Sequence, residues 1–159
     1  NMAGPAGCYQ KAVEEDDVTA LKFGDLDRGD KFNGCLSMDE VRIIQESKIN
    51  DDENDGVETS TTQTRTFQKT LEYTRRFSTV RTPEQTQMLR ELYDEQTTAA
   101  TNMHEFERAA FSNLQPQDAH EALTLIPSLG AKNEAGEDRF TEGQISSIVE
   151  QSANIRKFD

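Results

Sequence analysis

The chain has 159 residues, enough for one domain and too few for two ordinary ones. Thirty acids against seventeen bases leave a net charge of −13, and only 33% of the residues are hydrophobic. No stretch approaches the roughly 20 apolar residues of a membrane span, no N-terminal segment has a signal peptide's apolar centre, and so acidic a chain repels a phosphate backbone, which argues against nonspecific nucleic-acid binding as its own work. What remains is a thin-cored acidic protein, partly disordered or completed by a partner.

The charge is uneven. Residues 1–58 carry a net −9 and residues 59–159 a net −4. Residues 1–17, with Gly4, Pro5, Gly7 and the acidic run Glu14–Asp17, read as a loose arm. Thr19, Leu21 and Phe23 alternate with a more neutral face and predict a short strand closed by Gly24-Asp25. One short strand cannot form a sheet alone, so it has to pair elsewhere, and no second convincing strand follows.

Ser37-Met38-Asp39-Glu40 fits the S-x-x-E capping box, with Leu36 and Val41 at the flanking staple positions. The helix it opens carries Val41, Ile44 and Ile43 and is expected to end near Lys48, with an apolar face that has no home within the chain. Residues 49–64, from Asn50-Asp51-Asp52-Glu53 through the Thr/Ser run, predict a polar linker.

Residues 65–159 predict five short helices in a compact all-α bundle. Phe67, Leu71, Thr74 and Phe77 form the inner stripe of the first. Thr82-Pro83-Glu84-Gln85 opens the next, with Met88, Leu89, Leu92 and Tyr93 inside. Asn102 with Glu105 is expected to cap a third, burying Phe106, Ala109 and Ala110. Pro116 is expected to open a fourth, with Ala119, Ala122, Leu123 and Ile126 inward and Pro127 stopping it. After a polar loop from Gly130 to Asp138, Thr141-Glu142-Gly143-Gln144 caps the last helix, which carries Ile145, Ile148 and Val149.

The sequence offers no defensible catalytic constellation. Asp51-x-Glu53-x-Asp55-Gly56 resembles a calcium loop, but its twelfth position is Thr62 and its eighth Glu58, so a solvated linker is the better reading. Cys8 and Cys35 read as reduced thiols of an intracellular protein, and neither stands at ligand spacing with His104 or His120. Both histidines read as surface or capping residues. Arg75, Arg76 and Arg81 form the one basic cluster, either complementing a helix end or contacting a partner's acids or RNA. No cofactor, metal or catalytic residue is expected.

Several strings then carry a resemblance. Asn113-Leu114-Gln115-Pro116, Ala119, Glu121-Ala122 and Leu125-Ile126-Pro127-Ser128-Leu129 resemble the signature of the fourth subunit of eukaryotic RNA polymerase II, typically L-x-P-x-x-A-x-E-A-x-x-L-I-P-S-L. Leu21-Lys22-Phe23-Gly24, Leu36–Val41 and Thr70–Ser78 resemble that family's N-terminal strand, first helix start and T-L-x-Y-x-x-R-F-S segment, in the same order. Ser78-Thr79-Val80 lacks the family's usual second aromatic, and the loop Gly130–Asp138 looks like an insertion. The small stalk subunits of polymerases I and III share the architecture, while L-I-P-S-L favours polymerase II.

The resemblance implies a helical bundle of the helicase-associated, HRDC-like kind and a nuclear, non-catalytic subunit. It implies a stalk heterodimer with the seventh subunit on the polymerase core, acting in initiation and offering a docking surface for transcription and RNA-processing factors. There residues 18–48 are the partner-binding strand and first helix: the strand extends the partner's sheet, and Thr19, Leu21, Phe23, Leu36, Val41 and Ile44 form the partner interface. Nucleic acid is contacted only indirectly, with Arg75 and Arg76 as candidates. A free-standing helical nucleic-acid-binding module is the alternative.

Overall fold

The computed structural model describes residues 17, 19, 21, 34–56, 64–95, 103–132 and 136–157. Six α-helices and one 3-10 turn make up nearly all of their regular structure, an all-α architecture. In chain order they are α1 (Met38–Asn54), α2 (Arg65–Phe77), α3 (Pro83–Glu95), α4 (Glu105–Leu114), α5 (Ala119–Leu125), the 3-10 turn Pro127–Gly130 and α6 (Glu142–Lys157).

Most helix starts follow from side-chain chemistry legible in the sequence. The Ser37 hydroxyl accepts the Glu40 N–H, and the Ser37 N–H returns to the Glu40 carboxylate at 2.7 Å. Thr82 and Gln85 exchange the same pair of bonds before α3, as do Thr141 and Gln144 before α6. Thr64 caps α2 by accepting the Phe67 N–H.

Two starts differ from expectation. His104, not Asn102, caps α4, and the reciprocating acid is Glu107 rather than Glu105; Asn102 lies outside the described residues. An imidazole Nδ1 accepts the backbone N–H that a shorter side chain usually takes, which hides the cap from a search for Ser, Thr, Asp or Asn. Pro116 does not open α5 either. Gln115 ends α4 in the left-handed region at φ 50, Pro116 is buried between the helices, and Asp118 caps α5 by accepting the Glu121 N–H at 2.8 Å.

Helix α1 runs to Asn54, past the expected end near Lys48. Its last turns are exposed and polar, with Lys48 and Asp52 paired at 3.0 Å one turn apart. Gly56, at φ 70, follows in a turn with Asp55. Of the expected linker 49–64, residues 49–54 are thus helical, and 57–63 lie outside the described residues.

The core lies among α3, α4, α5, the 3-10 turn and α6. Leu89, Leu92 and Tyr93 meet Phe111, Ala122, Ile126, Leu129, Ile145, Ile148 and Val149 there. The Tyr93 and Phe111 rings pack tilted at 5.6 Å, and the Tyr93 hydroxyl reaches the Ser152 hydroxyl at 3.3 Å. Met103, Phe140 and Val80 close the cluster from connecting segments. On the expected inner faces, Leu71 and Thr74 are buried, whereas Phe77 is 44% and Met88 50% exposed.

Helix α1 packs antiparallel on α2, with Arg42 opposite Ser78 and Glu46 opposite Arg75, and also touches α3. The helix therefore has a place within the chain, while Ile44 of its expected apolar face stays 55% exposed. Its contact with the bundle is largely polar, and an apolar pattern does not register it. The expected strand is not formed at the described positions. The Thr19 N–H and hydroxyl both donate to Asp17 Oδ1, and Leu21 lies in a turn at φ 56; Phe23 is outside the described residues.

Candidate partner-binding surface

The first turn of α1 is fastened by charged hydrogen bonds rather than apolar packing. Asp39 is wholly buried, and its Oδ1 accepts the Thr79 N–H at 2.9 Å and the Val80 N–H at 3.3 Å while Oδ2 accepts the Thr79 hydroxyl. The Met38 N–H donates to Asn113 Oδ1 on α4. One turn on, Arg42 donates through Nε to the Ser78 hydroxyl at 2.7 Å and through Nη2 to the Val80 and Arg81 carbonyls. The α2–α3 connector has few backbone partners of its own, and α1 supplies them. Arg90 on α3 extends the network, pairing with Glu40, Asp94 and Glu105 and donating to the Cys35 carbonyl. Burial, and secondarily Glu105, push the Cys35 thiol above its ordinary pKa.

With its inner face so held, α1 leaves apolar side chains outside. Of the expected interface residues, Leu36 is 51% and Ile44 55% exposed, and Val41 is half-buried. On α2, Tyr73 and Phe77 pack tilted in the open with ring centroids 4.6 Å apart, and the Arg76 guanidinium lies over the Phe77 ring at 5.4 Å. An exposed aromatic pair this close is what an interface presents. Thr19 and Leu21 do not form an extended edge, and Phe23 lies outside the described residues.

The string Leu125–Leu129 is architectural. Ile126 and Leu129 are core residues, Leu125 is 42% exposed, and Pro127 begins the 3-10 turn. Ser128 is buried and donates its hydroxyl to Glu107 Oε1 at 2.5 Å. The same fully buried carboxylate takes both terminal nitrogens of Arg139, at 2.9 and 3.0 Å, and the His104 N–H at 2.7 Å. Arg139 also donates to the Ser128 carbonyl. This forked ion pair joins α4, the 3-10 turn and the segment before α6. Neither Glu107 nor Arg139 is conspicuous in the sequence, where each is one charge among many; the only local signal is the spacing of Glu107 from His104.

The other candidates separate cleanly. Arg75 and Arg76 stand in the last turn of α2, Arg75 paired with Glu46 at 2.8 Å. A cleft of about 400 Å³ opens beside them, lined by Arg42, Glu46, Arg75, Ser78, Thr79, Val80 and Arg81. His104 is a helix cap, and His120 is exposed on α5. Asp51 and Glu53 lie in the last turns of α1 instead of a loop, and among the described residues no group of His, Cys, Asp and Glu could hold a metal ion. Cys35 is a free thiol, and Cys8 lies outside the described residues.

A helical bundle that fastens an extra helix by polar contacts and leaves aromatic and aliphatic side chains outside has the form of an assembly component. The family model for RNA polymerase Rpb4 matches residues 35–156, and the chain belongs to that family. Among curated proteins it is 30% identical to the DNA-directed RNA polymerase II subunit rpb4 of Dictyostelium discoideum, over 92% of each chain. It is 29% identical to the DNA-directed RNA polymerase II subunit 4 of Arabidopsis thaliana, over 85% of this chain and 92% of that one. With the rpb4 subunit of Schizosaccharomyces pombe it shares 28% identity over 93% of this chain and 97% of that one.

Proposed function

We propose that the chain is a non-catalytic subunit of nuclear RNA polymerase II, paired with the seventh subunit in a stalk that acts in initiation and docks transcription and RNA-processing factors. The observation that carries this reading is the family match across residues 35–156, joined to three relatives each called an RNA polymerase II subunit. The exposed residues Leu36, Ile44, Tyr73 and Phe77 support a protein partner on the α1–α2 side. Residues 65–159 form the bundle domain of the HRDC-like kind, and the segment 18–48 is the partner-binding arm. On binding, Thr19 and Leu21 leave their free-chain conformation and, with Phe23, add a strand to the partner's sheet, gaining backbone hydrogen bonds there. Leu36, Val41 and Ile44 complete that interface. Any nucleic-acid contact of this chain falls to Arg75 and Arg76.

The test is to tag the chain in cells of its source and identify by mass spectrometry what co-purifies. RNA polymerase II subunits in stoichiometric amount are expected. Recovery without polymerase subunits, together with micromolar RNA binding that weakens steeply with salt, overturns the reading in favour of a free-standing nucleic-acid module.

A further inference from the structure

Helix α2 has two faces with different work. Leu71 and Thr74 are buried against the protein, and Arg75 and the Ser78 that follows the helix are held by Glu46 and Arg42 of α1. The opposite face carries Lys69, Tyr73, Arg76 and Phe77, all exposed. Spacings of three and four residues set them in one stripe, with Lys69 and Arg76 two turns apart, about 10.5 Å along the axis.

That stripe is basic on an acidic chain. Helix α2 holds Arg65, Lys69, Arg75 and Arg76 against the single acid Glu72, while the whole chain carries −13. Among the described residues neither Lys69 nor Arg76 makes an ion pair. Glu72 lies within a turn of both without closing on either, and the nearby acids of α1 are taken elsewhere, Glu46 by Arg42 and Arg75 and Asp52 by Lys48. The Arg76 guanidinium rests over the Phe77 ring, which orders it while its N–H groups stay open to a carboxylate. Two rings beside two spaced cations make a surface that is apolar and positive at once.

We infer that this face docks an acidic amphipathic helix of a protein factor. Carboxylates seven residues apart meet Lys69 and Arg76, and a leucine or phenylalanine pair between them covers Tyr73 and Phe77. The inference rests on the reading of the chain as a docking subunit and names the chemistry of what docks. Single-stranded nucleic acid fits less well. A base needs a free ring face to stack on, whereas Phe77 has Arg76 over it and Tyr73 packed against it at 4.6 Å. A polyphosphate also brings many charges against the chain's net −13, while a short peptide brings two or three, screened within about 8 Å at physiological salt.

The probe is a fluorescein-labelled helical peptide of about 15 residues with Glu at i and i+7 and Leu at i+3 and i+4, read by anisotropy against the full-length chain. Saturable binding is expected, weakened about tenfold or more in Lys69→Glu, Arg76→Glu and in Tyr73→Ala, Phe77→Ala, with helicity by circular dichroism unchanged. The same peptide with both Glu replaced by Lys is expected to bind the Lys69→Glu, Arg76→Glu variant and not the wild type. Leu36→Asp, Ile44→Asp, which probes the pairing with the seventh subunit, is expected to leave peptide binding unchanged, so the two readings fail separately. No binding, equal binding of a scrambled peptide, tighter binding of an oligoadenylate lost in the same variants, or loss of peptide binding in the complex with the seventh subunit overturns the proposal.

Discussion

Asp39 and Thr79 meet at the corner where α1 crosses the end of α2, a buried carboxylate holding both the backbone N–H and the hydroxyl of one connector residue. Asp39 also accepts the Val80 N–H, so a single side chain satisfies the backbone of a segment that is neither helix nor strand. Removing it leaves two backbone N–H donors unpaired and the Thr79 hydroxyl with the Ser112 carbonyl at 3.4 Å. Asp39→Ala is expected to cost about 3 kcal/mol in urea unfolding, and Asp39→Asn, which keeps one oxygen, about half as much.

The Glu107–Arg139 pair is held on both sides by further hydrogen bonds and lies out of solvent. Breaking it from one side strands a buried charge. Glu107→Ala or Arg139→Ala is expected to lose about 3–5 kcal/mol, while Glu107→Leu with Arg139→Met is expected to lose less than either single change. Denaturant midpoints of the three proteins check the ordering, which a purely additive pair of sites reverses.

Gln115 takes a left-handed conformation, at φ 50, as the residue that ends α4. A side chain there costs about 1–2 kcal/mol that glycine avoids, while glycine gives back part of the gain in the unfolded chain. Gln115→Gly is expected to stabilise the bundle by about 0.5–1 kcal/mol, read as a rise in Tm. The Gln115 carbonyl, which accepts from the Gln117 side chain, is unaffected.

Burial raises the Tyr93 phenol above its ordinary pKa, with the Ser152 hydrogen bond and Arg156 acting the other way. The folded protein therefore holds this proton more tightly than the unfolded chain. Its contribution to stability is complete below the unfolded pKa of about 10 and is lost as pH rises from there through the folded value. Tyr93→Phe is expected to flatten that alkaline loss, at the expense of about 1 kcal/mol at neutral pH. Stability against pH between neutrality and alkali is the measurement.

The bundle was legible because its information is local and redundant. Ser37 with Glu40, Thr82 with Gln85 and Thr141 with Gln144 announce helix starts, and Leu89, Leu92, Tyr93, Ile145, Ile148 and Val149 mark the faces that become core. The α4 cap goes to His104, read as a surface or capping histidine, and not to Asn102, because an imidazole cap is uncommon, and the reach of α1 to Asn54 escaped because exposed turns carry no apolar period. Asp39, Arg42, Glu107 and Arg139 were invisible as fasteners, since their partners lie tens of residues away and charge alone does not say which acid meets which base. The exposed pair Tyr73 and Phe77 was also missed: Phe77 fits an inward helical stripe by spacing, and only packing shows that it is left outside.

The central claim is that the α1–α2 side, with the arm before it, binds the seventh polymerase subunit. Co-expression of that subunit with tagged wild-type chain and with a Leu36→Asp, Ile44→Asp variant tests it most directly, since both side chains are exposed and their replacement spares the core. The wild-type pair is predicted to elute as a one-to-one complex. The variant is predicted to lose its partner by more than tenfold, with helicity by circular dichroism unchanged. Co-elution of the folded variant at wild-type yield contradicts the account.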